Sequence, residues 1–283
     1  MARAFADNPK RPRHVCWRAD TLVRRRRGAS PEMRAGRPRH GGGGGRGFVS
    51  LASGGANGLR SGRSTMNDSL RIPRLQAPVS LDWNDIRRAL APGLCQSLGQ
   101  PWLEQREPRF SPGTVRLGLH GSDLLLVAEL TDHAPANRAT EWNERTWMLG
   151  DVLELFLQSE SPQREDYYEF HVTPENQRLQ LHFPDGEATR RVSRGLVPLS
   201  TFHVGTPLFE SRVRIAPGGE GWEVFVRIGL EPLFGGLPQR LRFLVSRYDY
   251  QAGAAKPVLS CNESSRLPRP DFHYRAGWSV ALL

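Results

Sequence analysis

The chain has 283 residues, with 39 Lys+Arg against 29 Asp+Glu, a formal charge of +10. The excess sits at one end: residues 1 to 65 carry 15 basic and 3 acidic side chains, leaving 24 basic and 26 acidic among the rest. Nucleic-acid or acidic-membrane binding is thereby excluded as a property of the whole chain, and no apolar run approaches the roughly 18 residues a membrane-crossing helix needs.

Taken in chain order, residues 1–65 come first. They hold Arg24-Arg25-Arg26-Arg27, a glycine run from Gly41 to Gly45, and no apolar periodicity. Such a segment cannot bury enough apolar area to offset its conformational entropy, so it reads as a disordered Arg/Gly-rich extension. Three meanings are open: a basic nucleic-acid arm, an Arg-rich targeting peptide, or an over-extended start ahead of Met66. The abrupt change of composition at Met66 favours the last, with residues 66–283 as the folded body. Nucleic acid is expected as a partner only if the 1–65 arm is real.

In the body, Asp82 to Leu90 reads as one short helix. From there the dominant period is two. Thr114–His120 and Leu124–Thr131 are expected strands around Gly121-Ser122-Asp123. Val152–Leu157 places Leu153, Leu155 and Leu157 on one face; Tyr167–Thr173 follows with Tyr168, Phe170 and Val172 toward the core. Leu179, Leu181 and Phe183 alternate in the next strand. Arg212–Ile215 and Trp222–Ile228 flank the turn Pro217-Gly218-Gly219-Glu220-Gly221, and Leu241–Tyr250 and Trp278–Leu283 complete the series. Many short strands with frequent turn residues predict an all-β fold, an antiparallel, jelly-roll-like β-sandwich without an internal linker.

If Val152–Leu157 and Tyr167–Thr173 pair as a hairpin, Glu154 and His171 share the face away from the leucines, with Glu169 beside them. Carboxylate, imidazole and aromatic groups on one sheet face suit a polyhydroxylated ligand: hydroxyls need paired donors and acceptors, and the C–H face of a sugar ring packs on aromatics. The same pattern also describes an ordinary solvated sheet face with cross-strand pairs.

Several segments resemble family 9 carbohydrate-binding modules and their DOMON-like relatives. They are Leu124-Leu125-Leu126-Val127-Ala128-Glu129-Leu130-Thr131-Asp132; Trp147 followed by Gly150-Asp151-Val152-Leu153-Glu154-Leu155-Phe156-Leu157; and Tyr167-Tyr168-Glu169-Phe170-His171-Val172-Thr173-Pro174. Gly221 to Ile228, Leu241 to Val245 with Asp249 nearby, and Pro270 to Trp278 continue the match, which covers roughly residues 80 to 283. The resemblance implies a sugar-binding sandwich of the kind often attached to glycoside hydrolases, serving polysaccharide breakdown. By position, Trp147 matches a sugar-stacking tryptophan, Glu154 the strand carboxylate and His171 a sugar-contacting arginine. The second stacking tryptophan is missing from Asn262 to Pro270, and Trp142 or Tyr248 would have to replace it. His in place of Arg also removes a fixed charge and a bidentate fork.

Some relatives bind calcium; Asp132, Glu141 and Asp151 flank the corresponding loop, without EF-hand spacing. Certain DOMON relatives hold haem, for which Met148 and His171 are the available pair. No nucleophile elbow, P-loop or zinc-protease motif is present, so the reading leans away from an enzyme; Glu154 and Glu169 are the pair a glycosidase would need. Asp271-Phe272-His273 reads as a turn docking Phe272 into the core. Cys95 and Cys261 read as reduced thiols, and with no apolar secretory segment they point to the cytoplasm.

Overall fold

The computed structural model describes residues 70–75, 81–216, 218–251, 254–263 and 267–283; the reading of residues 1–65 lies outside them. The chain runs β1 (Leu70–Arg71), α1 (Trp83–Leu90), β2 (Leu94–Leu98), β3 (Gly113–His120), β4 (Asp123–Thr131), β5 (Val152–Ser159), β6 (Tyr167–Val172) and β7 (Arg178–Phe183). It continues through α2 (Ala188–Ser193), β8 (Phe209–Ile215), β9 (Gly221–Gly229), α3 (Leu230–Phe234), β10 (Arg240–Asp249), β11 (Val258–Cys261) and β12 (Ser279–Leu282). The helix starts where expected: Asp82 is its N-cap, its carboxylate accepting from the backbone N–H of Asn84 at 2.9 Å.

Two sheets form the expected sandwich. One has five strands in the order β2-β3-β4-β9-β8, the other seven in the order β1-β12-β10-β5-β6-β7 with β11 also on β10. Pairing within the sheets is antiparallel except between β1 and β12, where Leu70 and Arg71 run parallel to Ala281 and Leu282. The strongest hairpin signal holds: β8 and β9 pair from Phe209↔Ile228 to Ile215↔Trp222. β1, β2 and β11 have too few residues, or too mixed an alternation, to be read as strands from pattern alone.

The interlayer core is built by the alternation. Leu117, Leu119, Leu126, Val224 and Val226 of the smaller sheet meet Leu153, Leu155, Leu157, Phe170, Phe243 and Val245 of the larger one, all of them buried. On the outer side of the smaller sheet, Ile86 and Leu90 of α1 cover Leu125, Val127 and Phe225.

The outer side of the larger sheet corrects the expectation of a solvated face. Every residue of β5 and β6 is buried. Phe156, Tyr167, Leu179, Leu181, Phe183 and Leu244 form a second apolar layer, closed by Ala188, Leu199, Phe202, Phe272 and Trp278. The covering comes from connections and the chain end rather than from another sheet. Its cause lies in β7: the register sets Leu179 beside His171, Leu181 beside Glu169 and Phe183 beside Tyr167, so the apolar side of this strand faces outward. A second core of this kind makes Phe183→Ala cost about 3–5 kcal/mol, as much as Phe170→Ala between the sheets. Urea unfolding measures both, and a loss under about 1 kcal/mol at Phe183 would show that face to be wet.

Candidate functional site

The register brings the expected polar residues together. Glu154 of β5 lies opposite His171 of β6, Glu169 opposite Phe156, and Ser246 of β10 opposite Glu154. His171 is the hub. Its Nε2 is 2.6 Å from Glu169 Oε1 and 3.3 Å from Glu154 Oε1, and its Nδ1 is 2.7 Å from Thr146 Oγ1. Ser246 Oγ donates to Glu154 Oε2 at 2.7 Å. A neutral imidazole fits: Nε2–H donates to Glu169 while the Thr146 hydroxyl donates to Nδ1.

The trio is closed from solvent, with Glu154 3%, Glu169 2% and His171 0% exposed. Burial pushes both carboxyls above the ordinary carboxylate range, and a Glu169 charge raises Glu154 further; His171 and the Ser246 hydroxyl pull Glu154 the other way, and His273 does so for Glu169. Burial likewise holds the His171 pKa below its ordinary value, partly offset by Glu154. Glu169 Oε2 has no hydrogen-bond partner, His273 Nε2 lying 4.0 Å away. His273 in turn meets the Tyr167 hydroxyl through Nδ1 at 3.0 Å.

The remaining sequence candidates divide. Trp147 sits in a 3-10 turn, Thr146–Met148, only 7% exposed, its ring edge-on to His171 at 5.5 Å. It is packed against the trio, with its ring largely buried. Tyr248 lies on the same outer face as Ser246, partly exposed, edge-on to Phe272 at 5.9 Å. The charges of Glu154 and Glu169 help raise its pKa, after burial, so it lies beside both, and its hydroxyl has no hydrogen-bond partner among the described residues. Trp142 is exposed, but the Arg178 guanidinium covers its ring at 4.9 Å. Glu154 and Glu169 converge on one imidazole nitrogen and do not flank an open gap of the kind a glycosidase places around a scissile bond. Met148 is exposed while both ring nitrogens of buried His171 are engaged, so the two do not form an axial haem pair. Phe272 is docked as expected, in a turn closed by Tyr274 N–H donating to Asp271 O at 3.0 Å.

A second cluster joins the calcium candidates Asp132 and Asp151 to Asp249, all buried and with carboxylate oxygens within 4.8 Å of one another; Glu141 is exposed and takes no part. Gly150 permits the approach: at φ 152° its missing Cβ would stand 2.2 Å from Ala136 O. Asp151 then accepts from the backbone N–H of Ala136 at 2.8 Å and of Tyr250 at 2.6 Å. Asp132 accepts from Ala134 N–H at 3.0 Å. The cluster already contains a cation. Arg247, 0% exposed, places Nη2 2.9 Å from Asp132 Oδ2 and 3.5 Å from Asp249 Oδ2. A calcium cage gathers carboxylates and carbonyls around a free centre; here a tethered guanidinium already neutralises Asp132 and Asp249. Arg247 was missed from sequence, although alternation puts it on the apolar face of Leu241, Phe243 and Val245, where an arginine needs a partner.

No protein-family model matches the chain, and no curated protein matches it in sequence. Among solved structures, it is similar to a "putative carbohydrate-binding protein" from Bacteroides uniformis ATCC 8492, at TM-score 0.55 and 16% identity, covering 76% of this chain and 98% of that one. It is also similar to a family 9 carbohydrate-binding module from Caldicellulosiruptor kristjanssonii in complex with cellotriose, at TM-score 0.46 and 12% identity over 76% of this chain and 90% of that one. The first likeness shows a shared fold, the two-sheet sandwich.

Two outcomes follow from these clusters. The folded state holds the glutamate protons more tightly than the unfolded chain, so the pair lowers stability as pH rises past 4.5. His171, kept neutral, acts oppositely as pH falls below 6.5. The melting temperature of Glu169→Gln relative to wild type should therefore rise between about pH 5 and pH 8; a difference flat in pH contradicts the assignment. Arg247→Ala leaves two buried carboxylates, Asp132 and Asp249, without their cation and should cost about 3–5 kcal/mol in urea unfolding. Millimolar calcium should raise the melting temperature of that variant and leave wild type unchanged.

Proposed function

We propose that this sandwich is a non-catalytic carbohydrate-binding module, with its ligand on the outer face of the larger sheet above Glu154, Glu169 and His171. The motif order that resembles family 9 carbohydrate-binding modules supports the reading, as does the carbohydrate-binding description of the Bacteroides protein that shares the fold. The observation that carries it is an uncommitted polar atom, the buried Oε2 of Glu169, with the partly exposed side chain of Tyr248 on the same outer face. A buried carboxylate oxygen without a partner costs stability, and a ligand hydroxyl supplies the missing donor. Tyr248 then takes the place of a second stacking aromatic, with Phe272 edge-on to it. Such a module would hold its bearer on a glycan during polysaccharide breakdown, with no bond-breaking step of its own.

The burial of the trio favours a second reading, a sandwich whose sugar site has closed and which serves as a structural or protein-interaction domain. Intrinsic-fluorescence titration of the full chain with neutral mono- and oligosaccharides separates the two. The binding reading expects a saturable change, weakened about fivefold to tenfold in Tyr248→Phe, which keeps the ring and removes only the hydroxyl. A cooperatively melting protein with no saturable response to any neutral sugar would leave the interaction domain as the function. Trp147→Ala is a poor probe, because removing a buried ring perturbs packing as well as any ligand contact.

A further inference from the structure

Away from the buried trio, an open cleft of about 780 Å³ lies between the end of β5, the start of β10, the approach to α2 and the segment His273–Ala276. Its volume is within the range of small-ligand sites. Five arginines line it: Arg164, Arg190, Arg240, Arg242 and Arg275.

Their pairing is incomplete. Glu160 alone serves two guanidinium groups, Arg240 at 2.7 Å and Arg242 at 2.9 Å. Glu187 serves Arg190 at 2.5 Å, and Asp166 serves Arg164 at 2.6 Å. Arg275 donates to a backbone carbonyl, that of Glu165, at 2.6 Å, and has no carboxylate partner among the described residues. Five cations against three carboxylates leave two guanidinium charges in excess within one concave surface. Guanidinium forks match the oxygens of carboxylate, sulfate and phosphate groups, and a concave wall of one sign concentrates anions.

The rest of the lining narrows the ligand. Tyr274 is 42% exposed and lines the cleft, presenting an apolar ring beside the charges. Gln158, Ser159 and Ser161 add amide and hydroxyl groups. A ring for a C–H face, hydroxyl-pairing groups and surplus guanidinium charge together describe an acidic saccharide. We propose that this cleft binds a sugar carrying a carboxylate, sulfate or phosphate group. The site is separate from the face over Glu154 and does not depend on neutral-sugar binding there.

Isothermal titration of the full chain tests it with four probes: trigalacturonate, glucose 6-phosphate, inorganic phosphate and the neutral sugar cellotriose. The expected result is saturable binding of at least one charged sugar, at least tenfold tighter than cellotriose and than inorganic phosphate, and weakening as salt is added. Which charged sugar binds identifies the oxyanion. Arg190→Ala and Arg240→Ala, both at exposed side chains, should each weaken binding about fivefold to tenfold without lowering the melting temperature. Tyr274→Ala should weaken the sugars and not phosphate. Equal binding of charged and neutral sugars, phosphate as tight as the charged sugars, or charged-sugar affinity unmoved by all three variants would each overturn the proposal.

Discussion

The β5–β6 pair of the larger sheet is buried on both faces, and most of what is unusual in this protein follows from that constraint. A sandwich sheet ordinarily hides one side and wets the other, so outward polar residues find water. Here water is excluded from both sides of β5 and β6, save where Gln158 and Ser159 border the cleft. Every polar side chain on them must therefore be satisfied by protein. Glu154, Glu169 and His171 answer that requirement by condensing onto one another, with Thr146 and Ser246 closing the remaining bonds. The interaction that organises them is the short contact between His171 Nε2 and Glu169 Oε1. Low dielectric strengthens such a contact and raises the cost of any member left over, which is why the single uncommitted oxygen of Glu169 is informative.

The same physics operates at the end of the sandwich. Asp132, Asp151 and Asp249 approach closely enough that ordinary repulsion would drive them apart; Arg247 holds Asp132 and Asp249, and backbone N–H groups hold Asp151. A guanidinium on a strand differs from a bound ion in one respect: it arrives with the fold and cannot dissociate. Its own Nε and Nη1 lack hydrogen-bond partners, so the arrangement carries a desolvation cost that the neutralised carboxylates must offset. Position in the strand and position in space agree, since Leu241, Phe243 and Val245 precede Arg247 on the same inward face.

How much of this was legible in sequence depends on the length scale of each signal. Alternation over eight to ten residues gave β3, β4, β5, β9 and β10, because burial of one face imposes the period directly. It also placed Glu154 with His171, since facing follows from parity once two strands pair. What alternation does not carry is the fate of the opposite face. That is decided by Leu199, Phe202, Phe272 and Trp278, which reach the sheet from irregular segments far along the chain. The clue available was β7, whose leucines and Phe183 fall on the side of the trio and not of the core. The burial of Trp147 was hidden for the same reason: a motif fixes where a residue stands in the chain, and only the neighbouring packing fixes whether its ring meets solvent.

Burial also explains why charge recognition belongs to a different part of the molecule. An arginine inside the covered face would need a carboxylate partner for each charge, as Arg247 does, and would have none left for a ligand. At the cleft, water shares the solvation of Arg190 and Arg240, whose side chains are 67% and 51% exposed, so a surplus of positive charge is tolerated there. His273 stands at the boundary, lining the cleft on one side and facing Tyr167 and Glu169 on the other. His273 thus separates a covered face, whose polar groups must find partners within the protein, from a cleft whose charges water can share.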